Sequence, residues 1–196
     1  MSQSDKKVAR ARLVAGAADL LSRKGMNGTS IRELAKHSRA PLGSTYHYFP
    51  GGKQQVITEA IQFIGDKVSA GLAHSLKAGP VSGLRGFLAI WREEVVRSEF
   101  RAGCPVLSVA VEEPAGEDEM AALLVANAVF NDWMHLMAAA LREEGVSKAQ
   151  AEQIATLVVA SVEGTIALCR AQRSVKPLDQ VSRQLEMLIK NAIRKD

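Results

Sequence analysis

Residues 29–53 read Thr-Ser-Ile-Arg-Glu-Leu-Ala-Lys-His-Ser-Arg-Ala-Pro-Leu-Gly-Ser-Thr-Tyr-His-Tyr-Phe-Pro-Gly-Gly-Lys, and the order of caps and breakers predicts two short helices joined by a tight turn. Thr29 and Ser30 can accept from the unpaired N–H groups at a helix start, and Ser30 with Glu33 makes a capping-box pair ahead of Ile31, Leu34 and Ala35. The first helix should run from Ile31 to His37 and break at Ser38-Arg39-Ala40. Pro41 suits the first turn of the next helix, where its missing N–H would be unpaired in any case. This spacing is that of a helix-turn-helix, a unit whose second helix enters the major groove of DNA.

Upstream, Val8, Ala11, Leu13, Val14, Ala17, Ala18 and Leu21 recur at helical spacing, and Gly25 supplies a left-handed stop after Arg23-Lys24. Downstream, Val56, Ile57, Ala60, Ile61, Ile64, Val68, Leu72 and Leu76 predict a long amphipathic helix that ends at Gly79-Pro80. A fifth helix should carry Leu84, Phe87, Leu88, Ile90, Trp91 and Val95, and a short sixth should run from Pro105 to before Pro114. Three longer ones follow, over about Asp118 to Glu144, Lys148 to Arg173 and Pro177 to Ile193. The fold class is therefore all-α.

The net charge of +4 conceals an asymmetry. Residues 1–53 carry ten Lys or Arg against three Asp or Glu, whereas residues 54–196 carry an acidic excess. Attraction to phosphates supplies much of the affinity for DNA, so the basic charge sits where the helix-turn-helix would use it. No uninterrupted apolar run is long enough to suggest a membrane span, and the polar first residues do not resemble a secretory signal. A cytoplasmic location is expected. The two cysteines, Cys104 and Cys169, lack metal-type spacing and read as reduced, buried thiols. No motif calls for a cofactor or a metal. Pro50-Gly51-Gly52-Lys53 lacks the phosphate-loop pattern, because Gln54 follows the Lys and no strand precedes it.

Leu34-Ala35, the turn, and then Gly43-Ser44-Thr45-Tyr46-His47-Tyr48-Phe49 with Lys53 opening the next helix resemble the signature of the TetR family of bacterial transcriptional regulators. Phe49-Pro50-Gly51-Gly52-Lys53-Gln54 and Gly103-Cys104-Pro105-Val106 further resemble its LmrA/YxaF-like subgroup. The chain departs from the usual turn glycine with Arg39, and from the usual Ser or Thr near the start of the recognition helix with Pro41. The resemblance implies a three-helix DNA-binding domain over residues 1–53 and a larger helical ligand-binding and dimerisation domain over residues 54–196. It implies Thr29, Ser44, Tyr48 and Lys53 as backbone-phosphate contacts, with Arg39, Leu42, Gly43 and His47 on the base side and Tyr46 at the groove edge or packed beneath the motif.

The resemblance also implies a homodimer built from the last two helices, and a small-molecule effector that releases a palindromic double-stranded operator. On the eighth helix Ile154, Leu157, Val158, Ser161, Val162, Thr165 and Leu168 form an apolar stripe broken by Ala160, Gly164 and Ala167; read alone, it suits an ordinary core equally well. The candidate effector lining is Phe87, Trp91, Cys104, Met120, Phe130, Trp133, Met134 and Met137, with Asn131, Glu94, Asn127 and His135 as polar anchors. These residues, too, fill ordinary cores. Two alternatives stand beside this reading: a thiol-based redox sensor using Cys104, and a helical interaction module that never meets DNA. An enzyme is not expected, since no paired carboxylates, triad order or metal spacing appear.

Overall fold

The computed structural model describes residues 3–114 and 116–194. Its helices are α1 (Gln3–Lys24), α2 (Ile31–His37), α3 (Leu42–Tyr48), α4 (Gly52–Leu76), α5 (Pro80–Arg97), α6 (Pro105–Ala110), α7 (Glu117–Glu143), α8 (Lys148–Gln172) and α9 (Lys176–Ile193), and no strand is present among the described residues. They gather into two compact units that do not follow chain order. One comprises Met1–Gly65 with Pro105–Val129, the other Asp66–Cys104 with Phe130–Asp196.

In the first unit, α1 packs on α2 and α6, and α2 packs on α3. Gly25 ends α1 with φ +71°, and Ser30 caps α2 by accepting from the Glu33 N–H at 3.1 Å. The reciprocal half of the capping box does not form. The Glu33 carboxylate instead takes Lys24 Nζ at 2.8 Å, and this hydrogen-bonded cation holds its carboxyl below the usual range. Pro41 stands one residue earlier than expected, at the N-cap of α3 rather than inside its first turn. Gly16 lets α1 and α2 approach closely, since a Cβ there would lie 2.3 Å from Ser38 Oγ.

In the second unit, α8 packs against α5 and α9. The predicted stripe on α8 divides in two. Ile154, Val158, Val162 and Thr165 are buried against the chain's own core, while Leu157, Ala160, Gly164, Ala167 and Leu168 are exposed. Among the described residues α8 is the one helix long and apolar enough to cross a membrane, but half of that window is buried inside the protein, as in a core helix.

Candidate nucleic-acid interface and apolar core

The helix-turn-helix is fixed from below by apolar packing. Leu34, Ala35 and Phe49 are buried, and so is Thr45, whose hydroxyl donates to the Pro41 carbonyl at 3.2 Å. Arg10 locks the exit from α3. Its guanidinium lies 5.2 Å from the centre of the Phe49 ring and donates to Glu59 Oε1 at 2.6 Å, which ties α1 to α4.

With that underside committed, the outer face of α3 is left open. Leu42, Gly43, Ser44, Tyr46 and His47 are all exposed, and a Cβ added to Gly43 would meet nothing within 4 Å. Leu42 is 38% exposed and Tyr46 55% exposed, which leaves an apolar and an aromatic side chain reachable on this short helix. Tyr48 is half-buried and meets the His47 ring edge-on at 5.8 Å. Arg39, which holds the turn at φ +51°, is exposed.

Arg39 lines a groove of about 280 Å³ with Pro41, Ser44, Tyr48 and Arg12 of α1. Arg12 was not singled out by the sequence reading. It lies outside the motif, and nothing in the α1 pattern distinguishes it from other solvated basic residues. Two cations and the hydroxyls of Ser38, Ser44 and Tyr48 around one groove beside α3 suit a phosphate backbone.

One other position differs from the expectation. Thr29 is 1% exposed, its hydroxyl donating to the Gly25 carbonyl at 2.8 Å and its N–H to the Met26 carbonyl at 3.1 Å. It therefore closes the α1–α2 turn and has no donor free for a phosphate. In the loop before α4, the Gly51 N–H donates to Gln55 Oε1 and the Gly52 N–H to the Phe49 carbonyl, both at 2.9 Å, so these amides are not a phosphate cradle. Lys53 sits half-buried in the first turn of α4.

A second group missed by the sequence reading secures the base of the motif. Glu112, just beyond α6, accepts from the Met26 N–H at 2.6 Å and the Asn27 N–H at 3.0 Å, one oxygen for each. These amides cap the turn from which α2 departs. A glutamate 86 residues from its partner carries no local signal.

Residues 13–60, which include α2 and α3, match the family described as bacterial regulatory proteins, tetR family. Residues 80–184 match the C-terminal domain of LmrA/YxaF-like transcriptional regulators. The chain belongs to the TetR family. The HTH-type transcriptional regulator Rv0196 of Mycobacterium tuberculosis is 37% identical over 92% of this chain and 93% of its own length. The HTH-type regulator LmrA of Bacillus subtilis is 28% identical over 92% of this chain and 96% of its own. A TetR regulator from Legionella pneumophila shares the fold with a TM-score of 0.82, at 18% identity, over 95% of this chain and 97% of that one. The regulator CifR, solved with 26-bp double-strand operator DNA, overlays with a TM-score of 0.63 at 21% identity, over 94% of each chain. The relatives are regulators and not enzymes, and the TetR chain described here is a DNA-binding transcriptional regulator.

In the second unit of this TetR regulator, four of the predicted lining residues form one aromatic cluster. Phe87 meets Trp91 at 6.4 Å and Trp133 at 5.6 Å, Trp91 meets Trp133 at 6.0 Å, and Phe130 meets Trp133 at 5.5 Å, all edge to face. Met137 and Cys104 are buried and Met134 is half-buried. Asn131, His135 and Asn127 are exposed on α7, and Glu94 pairs with Arg97, so none of these four serves as an anchor inside the cluster. Met120 is 46% exposed and belongs to the first unit, apart from this group. Glu163 is the polar residue that the sequence reading passed over. It stands at a core position of α8 among Val159, Val162 and Ile166, and it is 4% exposed.

Proposed function

We propose that this regulator is a homodimeric repressor, acting in the cytoplasm, that leaves a palindromic operator when a small, mainly apolar effector binds. Residues 1–53 carry the reading function and residues 54–196 the response and dimerisation. The observation that carries the reading is the outer face of α3, where Leu42, Gly43, Ser44, Tyr46 and His47 are exposed and stand beside the Arg12–Arg39 groove. Leu42 suits a thymine methyl, Gly43 a close approach, Ser44 and His47 hydrogen bonds, and Tyr46 the groove edge. Arg39, Tyr48 and Lys53 grip phosphates on either side.

The exposed line Leu157, Ala160, Gly164, Ala167 and Leu168 on α8, with Met187 on α9, supports dimerisation through these two helices. Small residues there permit close helix approach, and a twofold pair would offer α3 twice to an inverted repeat. The response is a coupling free energy. An effector that favours one arrangement of the paired readers by ~1.4 kcal/mol weakens operator binding about tenfold.

Lys53→Ala tests the assignment of α3 and its flanks. It should weaken binding to specific and random duplexes alike and lower the salt slope by about one unit. A change in base preference with an unaltered salt slope would remove Lys53 from the phosphate role.

A further inference from the structure

The core of the second unit holds two polar side chains that no nitrogen or oxygen partner satisfies. The Glu163 carboxyl has no nitrogen or oxygen partner and only the weak Cys104 thiol beside it, and the Trp91 indole Nε1, on a residue 2% exposed, has no partner. They stand on α8 and α5, which pack on each other. Native cores leave few such groups, and an orphan is a reason to look for a missing partner.

Among the described residues no cation balances Glu163. The ionisable groups of the helices packed on α8 engage one another, as Arg85–Glu186–Lys190, Arg92–Asp179 and Arg97–Glu94, while Glu93, Lys176 and Arg183 are exposed. The Cys104 thiol is the one titratable neighbour that favours the charged form, and burial outweighs it, pushing Glu163 up to about 8. A carboxyl in such surroundings keeps its proton at neutral pH and offers an O–H. An indole N–H can only donate. The core thus presents two donors on packed helices, Glu163 on α8 and Trp91 on α5, the latter within the aromatic cluster of Phe87, Phe130 and Trp133.

Building on the effector-responsive reading, we propose that Glu163 and Trp91 are the polar anchors of the effector site, and that the effector is an uncharged, mainly apolar molecule bearing an acceptor oxygen such as a ketone. An acceptor oxygen suits either donor, whereas an organic cation would satisfy the indole not at all.

The test uses three probes of one size: acetophenone, ethylbenzene, which lacks the acceptor, and 1-phenylethylammonium, which is cationic. Each is titrated into the full-length ¹⁵N-labelled protein while the two tryptophan indole N–H signals are followed, assigned with Trp133→Phe. Acetophenone should move the Trp91 signal downfield and saturably, more strongly than either other probe. Glu163→Gln, which keeps a donor, should bind it nearly as well, and Glu163→Leu should lose about tenfold or more. Raising the pH from ~6 to ~9.5 should weaken binding to the parent and spare Glu163→Gln, which also covers the case in which the leucine variant fails to fold. An ethylbenzene response equal to that of acetophenone would overturn the proposal, as would preference for the ammonium probe abolished by Glu163→Gln, or no response to acetophenone. Duplex binding measured on the same preparation separates the two readings: its loss would strike at operator recognition, while its retention beside a silent Trp91 would strike at the effector site alone.

Discussion

At the scale of single residues, two side chains sit where folding alone would not place them. Glu163 is held near 8 instead of its ordinary 4.5 by burial. As pH rises the unfolded chain gives up this proton first, so stability is fullest below ~4.5, falls by about 1.4 kcal/mol per pH unit, and levels off above the folded value. Glu163→Gln removes that slope. Urea unfolding from pH ~5 to ~9 should show the variant gaining on the parent as pH rises; parallel pH profiles would mean that the acid is ionised and solvated in the fold. Arg39 is the second case, since it holds a left-handed φ of +51° at an exposed turn. Arg39→Gly should raise stability by ~1 kcal/mol while weakening duplex binding. Improvement of both in thermal melts and binding curves would deny Arg39 a place on DNA. Neither feature was plain in the sequence. A lone acid inside an apolar stripe looks like a solvated position, and the cost of Arg39 emerges only from its backbone angle.

Among the helices, local chemistry fixed most of what could be read. Ser30 and Pro41 mark the starts of α2 and α3, and Gly25 and Gly79 sit beyond the ends of α1 and α4 because both take positive φ. Long-range partners were illegible for the same reason that caps were legible: only neighbours in sequence leave a local pattern. The Thr29 hydroxyl, assigned to a phosphate by position in the motif, turns inward to the Gly25 carbonyl. Glu112 reaches back to the turn between α1 and α2 across most of a hundred residues. Glu112→Ala should cost about 1.5–3 kcal/mol, because it removes a charged acceptor from two backbone amides, one of them on buried Met26. Urea unfolding checks this, and a loss below ~0.5 kcal/mol would show that water replaces the carboxylate.

For the whole molecule, sequence order suggests a break after Lys53, whereas packing joins Pro105–Val129 to the N-terminal helices. Hydrophobic periodicity assigns a residue to a face but cannot say which partner covers it. The stripe on α8 shows this, since Val158 and Val162 close the core while Leu157 and Leu168, about half exposed, are left over. If a second copy covers them, Gly164→Glu, at a site with open space around it, should leave the helical content intact and shift sedimentation from dimer to monomer. An unchanged dimer would place the interface elsewhere. The central claim is that the outer face of α3, presented twice, reads a duplex sequence. Selection from a random duplex library, followed by anisotropy titration at ~0.15 M salt, tests it most directly. An inverted repeat should bind on the order of 10³-fold or more tighter than its scrambled version. Equal affinity for the selected and scrambled duplexes would contradict it.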